Sequence, residues 1–524
     1  MKSEEKKSDS DSSMHSAREC IKTVEELAAI SVQAKAEGKK VVLAHGVFDL
    51  LHMGHARHLE TAGKFGDLLI ATVTADAHVH KGPGQPVFPE ILRAEMLAGI
   101  KSVDWTGVNY DDSAEDLLRL VQPDVYVKGG DYVNPEDDVT GKIAVEREIV
   151  EAYGGRIEFT NEITFSSTAI INAHMALHNP ETKSFIDDMR REKNCTENIL
   201  GLIDRVADSR VLLLGETIID EYLYVSSIGK PAKENIISTL YESRELFAGG
   251  VIAAANHVAG FCKEVEVVTF LGGDGEYEDL VRSSLLDNVK LTTFNIEGRP
   301  TIKKSRYVAA GEMTKLFEVN FLDDRPIPEQ LSAKIGSYVE EISGQSDLTI
   351  ICDFGHGLMV QPLIDAAERS AKFLAVNAQS NSANRGYNSV CKYGRADYVC
   401  IDEPEARLAV LNKRGDLHQI LNDQLPKVID CEKIIVTHGK QGCLMWDQSN
   451  GVQHVPAFTR NPIDTIGAGD AFLAITSPLV AAGGSMRDVG FVGNIAGGIK
   501  VGVVGHRQSV GKTAVLKSII SLLK

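Results

Sequence analysis

Short apolar runs alternate with segments of helical spacing along most of this chain, and that alternation constrains the fold more than any other feature. Residues 41–44 (VVLA) follow two lysines and read as a buried strand. A turn rich in Gly and His comes next, then a helical segment over 55–64. Residues 67–74 predict a second strand, 92–99 a helix, 103–108 an extended segment, 114–121 a helix and 125–127 another buried strand. Strands alternating with helices predict a parallel sheet covered by helices on both faces. The pattern resumes at 210–215. Strands are expected there at 265–270, 348–352, 373–376, 398–401 and 433–437, and helices at 252–261, 362–370 and 471–482.

A chain of 524 residues has room for two to four domains. The segment 179–208 is charged, helix-prone and free of β-rich runs, so it reads as a connector between a domain at 21–178 and one at 209–524. Residues 2–13 contain only Lys, Ser, Glu and Asp, which cannot bury enough apolar surface to order themselves. Residues 1–20 are therefore expected to be a disordered tail. They lack the apolar stretch of a secretory signal. A formal net charge of −18 argues against a nucleic-acid scaffold. The least polar run, 472–484, is too short to span a bilayer. The 8 cysteines form no CxxC pair, which fits reduced thiols in the cytoplasm.

Residues 45–55 read HGVFDLLHMGH. His52 and His55 stand at the predicted start of a helix, where unpaired backbone N–H groups attract anions. Gly46 and Gly54 let backbone approach a phosphate closely. Two imidazoles here can stabilise charge developing on an attacked α-phosphate.

The stretch 45–171 resembles the HxGH nucleotidyltransferases of the cytidylyltransferase type. It is most similar to the adenylyltransferase half of the bifunctional heptose-phosphate kinase/heptose-1-phosphate adenylyltransferase family. The resemblance implies a Rossmann-like α/β domain and a phosphate-binding, catalytic Lys81. It also implies nucleotide contacts from Val47, Phe48, Asp49, Lys128, Gly130, Asp131, Ser166, Ser167 and Thr168, beside Gly46 and Gly54. Pro86, Val87 and Arg93 resemble the family's RPV…R segment. Ala44 and His45 depart from the Thr or Asn common before the first glycine, and Ile171 from a frequent Arg.

Residues 464–470 read DTIGAGD, ahead of an apolar helix. Gly467, Ala468 and Gly469 at a helix start make an anion hole from backbone N–H groups. Asp470 at its edge can accept a hydroxyl proton during phosphoryl transfer.

This second motif resembles the signature of the ribokinase-like (PfkB) sugar kinases, and the similarity spans 210–524. It implies a ribokinase-like α/β domain in which Asp220, Gly249, Gly250 and Asp353 bind substrate. Thr437, Gly439, Gly442 and Asn494 would bind nucleotide, and Glu405 would organise Mg2+. Ala253 stands where a GGxxN asparagine is expected, Asp402 replaces the Asn of NxxE, and 377–390 replaces a DPKG-type stretch. The Walker-like run 505–513 has one residue too many between its glycines, and reads as the end of the kinase module.

Together the resemblances imply a bifunctional enzyme with the family's usual module order reversed. The kinase would phosphorylate a sugar or sugar phosphate at O1 with ATP. The transferase would couple the product to an NTP and release pyrophosphate. The alternative is a cytidylyltransferase acting on a polyol or amino-alcohol phosphate, with a divergent, regulatory kinase module. Expected partners are nucleotides and a small sugar phosphate, with neither nucleic acid nor membrane, and a homodimer is allowed.

Overall fold

A computed structural model describes residues 17–79, 85–129, 142–160 and 179–524, apart from the single positions 232, 274, 310, 312, 383, 460 and 461. The chain divides after Leu177 into two compact units.

In the first unit, six parallel strands run in the order β1-β4-β3-β2-β5-β6. They are β1 (Ile21–Lys22), β2 (Val41–Gly46), β3 (Leu68–Thr74), β4 (Trp105–Asn109), β5 (Val125–Gly129) and β6 (Arg156–Thr160). The helices are α1 (Val24–Ala36), α2 (Met53–Gly63), α3 (Glu90–Ala98), α4 (Glu115–Val121) and α5 (Lys142–Ala152). Helix α1 opens with a capping box, Thr23 to the Glu26 amide and Glu26 back to the Thr23 amide. Strand β2 is apolar throughout Val41, Val42, Leu43 and Ala44 because both faces of the sheet are covered. Leu59, Ala62, Ala94 and Leu97 pack on one face, and Leu27, Leu117, Leu118 and Val121 on the other. The strand order reverses between β2 and β5. In an open α/β sheet, ligands bind at the carboxyl ends of the strands where that happens. Part of the expected tail is ordered: Ala17–Cys20 form a helical turn, and Arg18 pairs with Glu95 at 2.9 Å.

The second unit begins with the expected connector, and here the sequence reading is corrected. Residues 180–205 form α6 (Pro180–Arg191) and α7 (Cys195–Arg205). Ile186, Met189, Ile199, Leu202 and Ile203 lie in the unit's main core. The Arg190 guanidinium donates twice to the Leu522 carbonyl, at 3.1 and 2.8 Å. The charges that suggested a linker are the outer faces of two amphipathic helices.

The main sheet of this unit has nine strands. Strands β7 (Arg210–Gly215), β10 (Glu264–Gly272), β11 (Val289–Ile296), β14 (Leu348–Asp353), β15 (Leu374–Ala378), β16 (Tyr398–Asp402) and β17 (Lys433–Thr437) are parallel. Strands β18 (Cys443–Asp447) and β19 (Gly451–Val455) close one edge antiparallel. A second sheet, ordered β13-β12-β8-β9, comprises β8 (Thr217–Gly229), β9 (Ser238–Gly250), β12 (Lys303–Ala309) and β13 (Thr314–Phe321). The helices that position the site are α8 (Val251–Ala259), α9 (Glu403–Ala409), α10 (Ala468–Ala481), α11 (Met486–Lys500) and α12 (Lys512–Leu523).

Candidate active sites

The first site lies where β2 runs into α2. His52 is the N-cap of α2, and its Nδ1 accepts the Gly54 amide at 3.0 Å. That bond places the ring proton of the neutral imidazole on Nε2. Nε2 is buried with no hydrogen-bond partner among the described residues. Burial also lowers the His52 pKa from its ordinary 6.5, which favours the neutral ring near pH 7. His55 stacks on His52 with ring centroids 4.1 Å apart, and Phe48 meets His55 edge-on at 5.3 Å. Phe48 takes φ +48°, which turns its ring back against Gly46; a Cβ on Gly46 would lie 3.3 Å from that ring.

Neighbouring residues hold the loops around this site. Asp49 is buried, and its Oδ1 accepts the amides of Val87 and Phe88 at 2.6 and 3.1 Å. Arg93 is fully buried. It donates to the carbonyls of Val47, Phe88 and Thr74 and to Asp76, so it braces three loops from inside. Lys128 pairs with Glu146 at 3.0 Å and lies 4.9 Å from the Tyr126 ring centre. His45 bridges Thr72 and Thr74 at 3.0 and 3.3 Å. Burial and the Lys128 charge lower its pKa to about 3, so it is a neutral packing residue. Lys81, Gly130, Asp131, Ser166, Ser167 and Thr168 lie outside the described residues.

The second site forms around the start of α10. Gly467 caps that helix with φ +74°. A Cβ there would lie 2.6 Å from the His506 ring. Asp464 pins the loop: its oxygens accept from Lys315 and Tyr222, both at 2.6 Å, and from the Gly505 and Ile466 amides. Burial alone would raise the Asp464 pKa, but these donors hold it near 2. Lys500 is fully buried and donates to the carbonyls of Ile466 at 2.9 Å and Gly505 at 2.6 Å. The expected base, Asp470, is buried, and Gln379 donates to its Oδ1 at 2.5 Å. Burial raises its pKa, which makes the carboxylate a stronger base.

Asp220 is buried between Arg306 and His506, whose Nε2 lies 3.3 Å away. Burial opposes its charge, yet the His506 and Arg306 contacts hold its pKa well below the carboxylate range. Both following glycines are dictated by close approach. A Cβ on Gly249 would lie 2.1 Å from Asp220 Oδ2, and one on Gly250, at φ +60°, 2.4 Å from the Glu216 carbonyl.

Asp353 ends β14. It is fully buried, and its carboxylate takes up Tyr393, Lys392, Asn388 and the Gly355 amide. These contacts anchor the loop after β14, as do those of Glu216, which accepts the Phe354, His356 and Leu358 amides. Glu405 is likewise engaged by backbone, from Ser380 at 2.9 Å and Asp402 at 2.8 Å. The Asp402 side chain completes this box by accepting the Glu405 amide, which Asn would do equally well. That equivalence accounts for the replacement. Asn494 donates to the Val455 and Pro456 carbonyls. Thr437 ends β17, and Gly439 and Gly442 take φ +54° and +94° in the turn that follows. Among the described residues no group of three or more His, Cys, Asp or Glu could hold a metal ion. The residues fit Mg2+ carried on nucleotide phosphates, which needs one or two carboxylates, better than an all-protein cage.

Sequence reasoning missed Gln379, Arg306, Lys500 and His506. Gly505, His506 and Arg507 lie in the Walker-like run, whose linear pattern marks only the end of the module.

Residues 43–173 match the model of the family described as cytidylyltransferase-like. The bifunctional protein HldE of Hahella chejuensis is 40% identical over 151 residues, 28% of this chain and 30% of that protein. HldE of Vibrio vulnificus strain YJ016 is 45% identical over 143 residues, 27% of this chain and 29% of that protein. These matches fall on the first unit, so the chain spans about 30% of the length of the curated relatives it matches. Phosphofructokinase-2 from Escherichia coli, solved with potassium, is 18% identical with a TM-score of 0.49; the match covers 60% of this chain and all of that one. Ribokinase from Arabidopsis thaliana, solved with ribose and ATP, is 16% identical with a TM-score of 0.47, covering 60% and 99%. Residues 208–512 match the model of the pfkB family carbohydrate kinases. With that match over more than half its length, the chain belongs to the pfkB carbohydrate kinase family, and it carries a cytidylyltransferase-like domain ahead of the kinase domain.

Proposed function

We propose that the chain makes an activated sugar in two consecutive steps. At the second site the O1 hydroxyl of a sugar or sugar phosphate, of heptose 7-phosphate type, attacks the γ-phosphorus of ATP. Asp470 takes the hydroxyl proton, the new P–O bond forms, and ADP leaves. The amides of Gly467, Ala468 and Gly469 receive the charge that develops. Asp220 orients the acceptor through its hydroxyls. Mg2+ enters with the nucleotide and neutralises phosphate charge. At the first site the sugar 1-phosphate attacks the α-phosphorus of a second NTP. His52 donates from Nε2 to the developing charge beside His55, and pyrophosphate leaves. The reading rests above all on Asp470, a buried carboxyl of raised proton affinity held by Gln379 at the start of α10. Eight free cysteines and substrates that are nucleotides suit a cytoplasmic setting.

The test is a panel of sugars and sugar phosphates with each NTP, reading ADP and pyrophosphate release separately. Acceptor-dependent ADP release, followed by pyrophosphate release from the resulting 1-phosphate, is expected. Pyrophosphate release from CTP and a polyol or amino-alcohol phosphate, with no ADP release from any sugar, would replace this reading with the regulatory-kinase alternative.

A further inference from the structure

Beside the kinase site, the second unit holds a cavity of about 330 Å³. Its walls come from the end of β9, from α8, from Ser284 and from the segment between α11 and α12. The volume lies at the small end for ligand pockets and leaves no room for a whole nucleotide. His257, His506 and Arg507 line it together with Asn256, Ser284 and Gln508, and no carboxylate is among its lining residues.

Two imidazoles in this wall keep a nitrogen without a partner. His257 is 1% exposed, and its Nδ1 accepts the Val510 amide at 2.9 Å. The proton of the neutral ring is therefore on Nε2, a buried donor with no hydrogen-bond partner among the described residues. Burial and neighbouring positive charge lower the His257 pKa to about 3, so the ring stays neutral. His506 points Nε2 at Asp220 Oδ2, 3.3 Å away, while its Nδ1 is buried with no partner among the described residues. When the ring is protonated against Asp220, both its nitrogens are donors. Arg507 is half-exposed and is held in place by two bonds to Glu245, at 3.0 and 2.6 Å. The buried Nε2 proton of His257 calls for an acceptor, and a polar cavity lined also by Arg507, Asn256, Ser284 and Gln508, with no carboxylate in its lining, suits an oxyanion.

We propose that this cavity is an oxyanion subsite for a phosphate group, linked to Asp220 through the His506 ring. In its doubly protonated form a single ring bonds Asp220 through Nε2 and the anion through Nδ1, so the anion and the carboxylate share one positioning group. Occupancy thus fixes the carboxylate that orients the acceptor. The phosphate has two sources: the distal phosphate of the acceptor itself, or a free phosphate ion. The first rests on the kinase reading above; the binding claim does not.

The probe is inorganic phosphate, titrated into the full chain and followed by calorimetry and 31P NMR. His257→Asn places an oxygen where Nδ1 was, so Val510 stays capped, and it removes the Nε2 donor. One class of phosphate site is expected to weaken by about 10-fold or more, the effect of losing a hydrogen bond to a charged group. Arg507→Gln, at the half-exposed edge, guards against a folding defect and is expected to weaken the same class by about 3-fold or more. Phosphate affinity unchanged in both variants overturns the subsite. Acceptor kinetics then separate the sources. A KM increase in His257→Asn confined to phosphorylated sugars assigns the subsite to the acceptor's phosphate. Variant-sensitive phosphate binding with equal KM changes for phosphorylated and plain sugars assigns it to the free ion. If no sugar elicits ADP release while variant-sensitive binding persists, the kinase reading fails and the subsite stands.

Discussion

His52 uses its two nitrogens for different purposes, and the purposes can be separated. Nδ1 caps α2, and Nε2 is the donor available to a phosphate. His52→Asn keeps an acceptor for the Gly54 amide and loses the donor. Pyrophosphate release should fall about 10²–10³-fold, the usual effect of removing one transition-state donor. The thermal midpoint should stay near wild type, whereas His52→Ala should also lose about 0.5–2 kcal/mol of capping. Near-wild-type turnover in both variants would remove His52 from the chemistry. Asp470→Asn preserves size but cannot act as an anionic base, so ADP release should drop about 10²–10⁴-fold. The candidate residues that the linear sequence marks are those beside a local motif: His52 and His55 in HMGH, Asp470 in DTIGAGD, and Asp220 by the resemblance of its strand. Arg306 and Gln379 were not legible because they reach Asp220 and Asp470 from 86 and 91 positions away in the chain. The partners of Asp353, Lys392 and Tyr393, are equally hidden because they lie in a stretch with no recognisable pattern.

At the scale of elements, strand–helix alternation marks the parallel parts of the two main sheets, but not the antiparallel edge of the second, the four-stranded sheet or the role of α6 and α7. Strand β13 is exposed along its whole length, so no inward-facing alternation marks it. Helices α6 and α7 carry a narrow apolar stripe among many charges, and charge dominates a linear reading. Burying Ile186, Met189, Ile199, Leu202 and Ile203 contributes about 1.5–3 kcal/mol apiece, which together rivals the stability of a whole domain. A fragment of residues 179–524 should therefore unfold cooperatively in urea. A fragment of 209–524 should be insoluble or lack a sharp transition. Equal stability of the two fragments would mean that the pair is dispensable. Lys500 joins the end of α11 to the loops before α10 and α12. Lys500→Met leaves two carbonyls without their donor, a loss of about 1–3 kcal/mol in stability. ADP release should fall along with it, and added ammonium should recover part of the rate. No rescue, with stability unchanged, would show that the ammonium group does not hold the loop.

For the molecule as a whole, the second unit's buried carboxyls make opposing contributions to its pH profile. Burial raises the Glu405 pKa above its ordinary 4.5, helped by the charge on Asp402. The folded unit thus keeps a proton that the unfolded chain releases. Stability from this group is full below pH 4.5 and is lost as pH rises through the raised value. Glu216 behaves alike, whereas Asp220 and Asp464, held below 3.8, lose their contribution as pH falls. The thermal midpoint of the second unit should decline between about pH 5 and 9, and Glu405→Gln should flatten that decline. An unchanged slope in the variant would place the titration elsewhere. The two candidate sites belong to different compact units. Asp470→Asn should therefore leave pyrophosphate release from a supplied sugar 1-phosphate at the wild-type rate, and a parallel loss of both activities would show that the steps are not separable.

The approach of Asp220 to Gly249 also sets terms for redesign. No side chain larger than hydrogen fits where a Cβ would lie 2.1 Å from a carboxylate oxygen. A library that randomised Gly249 and Gly250 would recover mostly misfolded protein. One that left both glycines alone and varied Ala253, which lines the neighbouring cavity, would reshape that wall on an intact backbone. What can be bred into this pocket begins in the first turn of α8, just past the two glycines.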